Sequence, residues 1–322
     1  MNVFFEPLIP PIPYSTMYPS QLSHSITQAI ERLQTEMEQA APVMAAQVIP
    51  WQVKLAGKLQ PEAYFMHPLA FPALLLPWWT ETALGEPSDP TLQAELAYST
   101  INGYYHIRLI DNLMDGHATV ERELLPALNF FHTQFQSAYH PYFPADHPFW
   151  AFFNATWFRS GEAAMEDAAL MDIDEATFKR VAAQKVCAAK IPVAAVCYRH
   201  NRADAIAPWA DFIDHLGGWH QFRNDLFDWH KDMAQQTTTY FLCEAERRRR
   251  ADESLISWVA REGFAWGIDT AQAWLANLKT TAQTLNSPDL LDYLTTRESM
   301  LLTERDKIAS GLQSLAKLAK LK

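Results

Sequence analysis

Apolar side chains recur every three or four residues along most of this chain, and prolines rather than glycines punctuate the pattern. That period lines the apolar residues along one face of an α-helix. The 322 residues include only 10 glycines against 20 prolines. Scarce glycine and long amphipathic stretches favour helices packed on helices over a turn-rich β fold. A chain of this length can bury a large core as a single helical domain, read here as 1–322 with residues 1–23 as a proline-rich leader.

The spacing of Ile26, Ile30, Leu33 and Met37 predicts a first helix over His24–Val48. Pro61, Pro68, Pro72 and Pro77 break the next stretch into short pieces. Further helices are predicted over Thr91–Met114, Glu121–Tyr139, Pro148–Leu170, Asp174–Arg199 with a kink at Pro192, Ala207–Gln235, Ser254–Phe264, Thr270–Leu285 and Asp289–Lys320. The run Arg247–Arg250 reads as a solvated helix face.

A net charge of −11 argues against a nucleic-acid surface, which needs clustered Lys and Arg. An anionic substrate would need a local cation. Cys187, Cys197 and Cys243 show no metal-binding spacing, so a reduced, cytoplasmic setting is expected. No uncharged apolar run is long enough for an integral membrane segment. The nearest is Pro68–Thr80, short and proline-broken, which reads as a buried segment or a lip for a lipid-like substrate. Nothing in the sequence decides whether the chain forms a homodimer.

Two stretches carry chemistry. In Tyr104–Asp115, Asp111 and Asp115 stand one helical turn apart, with Arg108 and Tyr104 on the same side. In His220–Asp232, Asn224, Asp228 and Asp232 form a polar stripe two turns long. Trp219, Phe222, Leu226, Trp229 and Met233 make an apolar stripe on another face. A helix this apolar is buried, and buried carboxylates are costly unless paired or metal-bound. Hard oxygen ligands at helical spacing suit Mg²⁺, which takes a few carboxylates together with substrate phosphates.

These residues resemble the class I terpenoid synthases and trans-prenyltransferases. Asp111-Asn112-Leu113-Met114-Asp115 is similar to their DDxxD motif, with Asn in the second place. Asn224-Asp225-Leu226-Phe227-Asp228-Trp229-His230-Lys231-Asp232 is similar in spacing to the second motif of terpene cyclases. Gln221 and the Asp225/Asp228 pair also echo the FQxxDDxxD of prenyltransferases. The resemblance spans roughly Leu96–Leu242. It implies an all-α helical bundle around a deep apolar cavity and Mg²⁺ as cofactor, three ions, held by Asp111, Asp115, Asn224, Asp228 and Asp232. It further implies diphosphate contacts from Arg180, Lys185, Arg223 or Lys231.

The implied activity is ionisation of a prenyl diphosphate. Charge growing on the leaving oxygens is neutralised by metal and basic groups. The carbocation is then steered by an apolar pocket through cation–π contacts, with Tyr104, Tyr105, Phe153, Trp157 and Trp219 as candidates.

One departure from the family bears on the reaction. Chain-elongating enzymes carry a basic GGKRxRP motif to hold a second diphosphate. Ala56-Gly57-Lys58-Leu59-Gln60-Pro61 echoes it without the arginines. The sequence therefore favours a one-substrate terpene synthase, a lyase releasing a hydrocarbon or alcohol. A condensing trans-prenyltransferase is the alternative, and a non-catalytic helical binding protein the second. A helical metal phosphohydrolase, suggested by His215, His220 and His230 beside Asp214, Asp225 and Asp228, lacks adjacent His-Asp dyads. No Glu has His three residues on, which sets a di-iron bundle aside.

Overall fold

The structure is a computed structural model that describes residues 17–57, 59–114 and 121–319. In chain order the α-helices are α1 (Ser20–Ala40), α2 (Pro42–Ala56), α3 (Pro61–Phe65), α4 (Leu75–Ala83), α5 (Pro90–Met114), α6 (Ala127–Ser137), α7 (Pro148–Ala169), α8 (Glu175–Lys185), α9 (Lys190–Arg199), α10 (Ile206–Gln235), α11 (Tyr240–Arg248), α12 (Leu255–Trp258), α13 (Phe264–Thr284) and α14 (Pro288–Ala319). No strand occurs among the described residues. The contacts divide the chain into two compact units, Met1–Trp78 with Pro87–Pro144, and Trp79–Glu86 with Ala145–Lys322.

In the first unit α5 packs between α1 and α6. The period of α1 buries Leu22, Ile26, Ile30, Leu33 and Met37. Packed against both neighbours, α5 buries Leu92, Leu96, Ile101 and Leu109. Each such side chain contributes about 1.5–3 kcal/mol by leaving water. Asp89 caps the start of α5 by accepting from the amides of Thr91 and Leu92, and Pro90 takes the first helical position, where no amide is needed. Gly103 lets α5 and α6 approach closely, since a Cβ there would meet the Phe135 ring at 2.9 Å.

In the second unit α10 lies among α8, α9, α11 and α13. Gly267 of α13 takes the Leu226 side chain of α10 against its backbone, where a Cβ would collide with it. An aromatic cluster of Phe178, Phe222, Tyr240, Trp266 and Trp274 closes the core beside α10, with Phe178 and Tyr240 stacked at 4.9 Å. The long helix ends at Gln236, whose φ of 58° is left-handed; its amide returns to the carbonyls of Asp232 and Met233.

The helices predicted over α5, α7, α10 and α14 match to within a residue or two at each described end. Others differ for local reasons. The single helix predicted over His24–Val48 is two helices, because Pro42 cannot donate to the preceding turn and instead opens α2 at its first position. Glu121–Tyr139 is a 3₁₀ turn, Glu121–Leu124, followed by α6 after Pro126. The break predicted at Pro192 lies earlier, in the 3₁₀ turn Cys187–Ala189. Pro192 sits in the first turn of α9, where its missing amide has no intrahelical carbonyl to serve. Ser254–Phe264 is α12 followed by a π-helical turn, Val259–Gly263, that runs into α13. The proline-broken stretch ends in α4, and Leu74, Leu75, Leu76 and Trp79 are buried, which agrees with the buried reading.

No single helix among the described residues is long and apolar enough to cross a membrane; α8 and α9 reach that length only across a 50° bend. The three cysteines are free thiols, Cys187 and Cys197 buried and Cys243 half-buried. The arginines 247–249 carry ion pairs, Arg247 to Asp172 and Glu244, Arg248 to Glu244, Arg249 to Glu246.

Candidate active site

The last turns of α5 carry Asp111 to Met114 of the first acidic motif. Residues seven apart on a helix differ by about 20° in direction, so Tyr104 and Asp111 share a face, with Arg108 beside them. Arg108 donates to the Asp111 carboxylate at 3.2 Å, and both side chains are about one-third exposed. Asn112, the variant residue of the motif, is buried. Asp115 lies outside the described residues. Below Asp111, the Tyr104 hydroxyl is bonded to that of Tyr64; both rings meet Phe65 edge to face, and Tyr104 meets Tyr105 in the same way. Burial keeps the Tyr104 and Tyr105 phenols protonated well past their ordinary range.

On α10 the acidic face is broader than the stripe Asn224, Asp228, Asp232. Asp225 and Asp232 are seven apart and share one direction, with Asp228 between Asn224 and Asp232. Asp225 is only 4% exposed, and the Gln221 amide donates to it at 2.8 Å. Burial first, then the charges of Asp232 and Asp167, push its pKa up to about 7, against the pull of Gln221 and Lys185. Asp232 is pushed up to about 6, by burial and then by Asp228, with Lys231 opposing. Asp228 is 48% exposed and accepts from Lys231 at 2.6 Å. The face therefore holds more carboxylate than local cation. Among the described residues no group of three His, Cys, Asp or Glu is drawn together into a metal cage.

The four basic candidates go to different places. Lys185 of α8 donates to Asp167 of α7 at 2.7 Å and lowers the Asp225 pKa, so it belongs to the acidic face of α10. Lys231 is on that face through Asp228. Arg180 is held by both oxygens of Glu166, in a half-exposed fork on α7 and α8. Arg223 points about 160° away from Asp225. It is buried and donates to both oxygens of Glu304 on α14, at 2.7 and 2.8 Å. That guanidinium ties α10 to α14 and does not reach the acidic face.

The aromatic candidates are likewise divided. Tyr104 and Tyr105 form the cluster under Asp111, while Phe153 packs with Phe149 and Trp150 on α7. Trp219 is buried, donates its indole N–H to the Ala271 carbonyl at 2.9 Å and lies under the Arg297 guanidinium. Trp157 is half-buried. An open apolar cleft in the first unit, lined by Val43, Met44, Leu124 and Pro126 among others, includes none of these residues. His215, part of the phosphohydrolase reading, is exposed and turns to the Asp211 carbonyl.

Asp225, Gln221 and Asp167 are the residues that motif spacing undervalued. The signal for Asp225 was present, four residues after Gln221 and seven before Asp232. Asp167 belongs to another helix and had none.

No protein-family model matches the chain, and no curated protein matches it in sequence. The crystal structure of octaprenyl pyrophosphate synthase from Helicobacter pylori is similar in structure, with a TM-score of 0.63 over 88% of this chain and 99% of that one, at 14% sequence identity. At that identity the likeness shows the fold: an all-α, isoprenoid synthase-like architecture.

Proposed function

We propose that this chain is an enzyme acting on a prenyl diphosphate, with Asn224, Asp228 and Asp232 on α10 as Mg²⁺ ligands and the acidic motif residues Asp111 and Asp115 as a second set of Mg²⁺ ligands. The observation that carries the reading is the under-neutralised acidic face of α10. Asp225 and Asp232 ionise near 7 and 6 because they are buried among like charges. A divalent ion supplies the positive charge such a face lacks. Its hard oxygen donors suit Mg²⁺, which binds through one or two carboxylates plus waters and substrate phosphates and so needs no ready-made cage of three. When bound, Mg²⁺ would supply Lewis acidity toward the departing diphosphate. Lys185 and Lys231, bonded to Asp167 and Asp228, would be the cations that meet diphosphate oxygens beside that face. Arg180 is a weaker candidate, held by Glu166, and Arg223 is left out of the role because Glu304 takes it. The hydrocarbon chain would lie against aromatic surface, with Tyr104 and Tyr105 offering it beneath Asp111.

Within this class, condensation with a second prenyl diphosphate has the support of the fold: the similar solved structure is that of an octaprenyl pyrophosphate synthase. The one-substrate terpene synthase has the support of Asn224 at the head of the second motif and of the missing arginines after Gly57. The fold likeness spans nearly the whole chain, so the condensing trans-prenyltransferase is the reading we favour. The test is incubation with farnesyl or geranylgeranyl diphosphate and Mg²⁺, with and without labelled isopentenyl diphosphate. Label in a longer prenyl diphosphate is the expected result. A hydrocarbon or alcohol formed without isopentenyl diphosphate would establish the one-substrate reaction instead, and no turnover of either kind would leave a binding protein.

A further inference from the structure

Helix α2 is nearly uncharged, yet one of its faces is exposed. Before Lys54 its exposed residues are Pro42, Val43, Ala46, Gln47, Pro50 and Val53, and Val43 is 78% exposed. Helical spacing sets them within an arc of about 140°. The neighbouring α1 exposes Glu31, Arg32 and Glu38 instead, as a solvated helix face does. Along the first turns of α2 the uncharged face opens into the apolar cleft of the first unit, about 420 Å³ in volume, whose lining is completed by Leu124, Pro126 and Ala127. Leu125 is exposed beside it. That volume falls within the ~300–1,000 Å³ of ligand pockets. Contiguous apolar surface left in water marks an interaction site.

We propose that the occupant of this face is the chain's own leader, residues 1–16, laid along α2 with Leu8 and Ile9 in the cleft. Those residues precede the described ones. Composition and reach choose this occupant. The segment Met1–Pro19 carries one charged residue, Glu6, and apolar Val3, Phe4, Phe5, Leu8 and Ile9, so it matches an uncharged face. Its point of departure is fixed: the Tyr18 hydroxyl donates to the Phe65 carbonyl of α3 at 3.3 Å, and α3 touches both α1 and α2. Gln34 of α1 donates to Gln52, near the end of α2, at 3.5 Å, so the two helices run antiparallel from the turn at Ala41. The leader therefore joins the fold at the C-terminal end of α2, with the cleft at the other end. The separation is the length of α1, 21 residues or about 30 Å. Pro7, Pro10, Pro11 and Pro13 favour an extended polyproline II course of about 3.1 Å per residue. About ten residues cover that distance and bring Leu8 and Ile9 level with the cleft. A segment tethered so closely meets its site at an effective concentration in the millimolar range, so a modest apolar contact suffices to hold it.

In the full chain, chymotrypsin should cut after Phe5 and Tyr14 slowly, and about tenfold faster or more in Val43→Glu, which places a carboxylate at the apolar cleft. Position 43 is exposed and in the first turn of α2, where a carboxylate suits the helix dipole, so helical circular dichroism should not change. Ile256→Glu, at an exposed apolar position of the second unit, should leave cleavage as in wild type. The reverse reading uses a thiol. In Val43→Cys, labelling of position 43 by a maleimide should quicken about tenfold or more when Leu8→Glu and Ile9→Glu are added. Chains carrying Ile9→Cys and Val43→Cys, oxidised at micromolar concentration, should close a disulfide within one chain. Equal cleavage of wild type and Val43→Glu, or labelling that the leader substitutions leave unchanged, overturns the proposal. So does a disulfide formed only between two chains, which would give the face to a second copy. So does wild-type binding to phosphatidylcholine vesicles that Val43→Glu abolishes while leader cleavage stays the same, which would give the face to a bilayer.

Discussion

Replacing Asp225 with Asn should stabilise the protein by an amount that grows from about pH 4 to about pH 7 and stays at its full value above that. The carboxyl is buried and ionises at about 7 in the folded chain, against 3.8 for a free aspartate. A carboxyl whose pKa is raised by folding favours the folded state while protonated, and that contribution is lost as pH rises through the folded pKa. At pH 4 and below, wild type carries a neutral acid there, much as the variant carries a neutral amide. Between pH 4 and 7 the unfolded wild-type chain releases a proton that the folded chain retains, and folding becomes progressively less favourable. Each tenfold step in ionisation is about 1.36 kcal/mol, so a displacement from 3.8 to about 7 amounts to about 4 kcal/mol at full development. Relaxation of the folded site would reduce this, and about 2–4 kcal/mol is the expected gain for Asp225→Asn at pH 8. The Gln221 amide can still donate to the Asn oxygen, so the hydrogen bond at 2.8 Å survives the change. Urea denaturation of both proteins at pH 4.5 and pH 8 measures it directly. Equal stability differences at the two pH values would refute the reasoning, because the gain would then owe nothing to ionisation.

Other expectations follow from the same contacts. Asp228→Ala and Asp232→Ala should abolish most turnover with kcat falling more than substrate affinity, and should shrink the rise in thermal midpoint that Mg²⁺ with inorganic diphosphate produces in wild type. Full activity in the presence of EDTA would contradict the metal assignment. Arg223→Ala should destabilise by about 3 kcal/mol, by leaving Glu304 without its partner, and should leave Mg²⁺–diphosphate affinity unchanged; an affinity loss larger than the stability loss would restore Arg223 to the site. Gly267→Val should cost about 1–3 kcal/mol in chemical denaturation, because its side chain meets Leu226.

Much of the fold and half of the candidate site were legible without coordinates. Helical spacing is a local property, so the extents of α5, α7 and α10 could be read from apolar period, and Asp111 with Arg108 or Asp228 with Asp232 could be placed on one face by counting residues. Proline positions were legible as breaks, but which side of the proline the helix resumes depends on whether the missing amide falls in a first turn, as at Pro42 and Pro192. What spacing could not convey is what other helices bring to each face. Arg223 and Lys185 look equally suited to a diphosphate in the sequence. Glu304 from α14 takes the first out of the site, and Asp167 from α7 keeps the second beside Asp225. Asp225 itself counts as one carboxylate among several until α10 is buried. Its ionisation near 7 comes from the water that packing excludes and from charges on neighbouring turns and helices, and neither exists in an isolated helix. The residues and their periodicity determined which groups share a helix face; only the tertiary structure decided which of those groups are dry, which are neutralised and which remain short of positive charge, because burial and pairing are set by segments far apart in the chain.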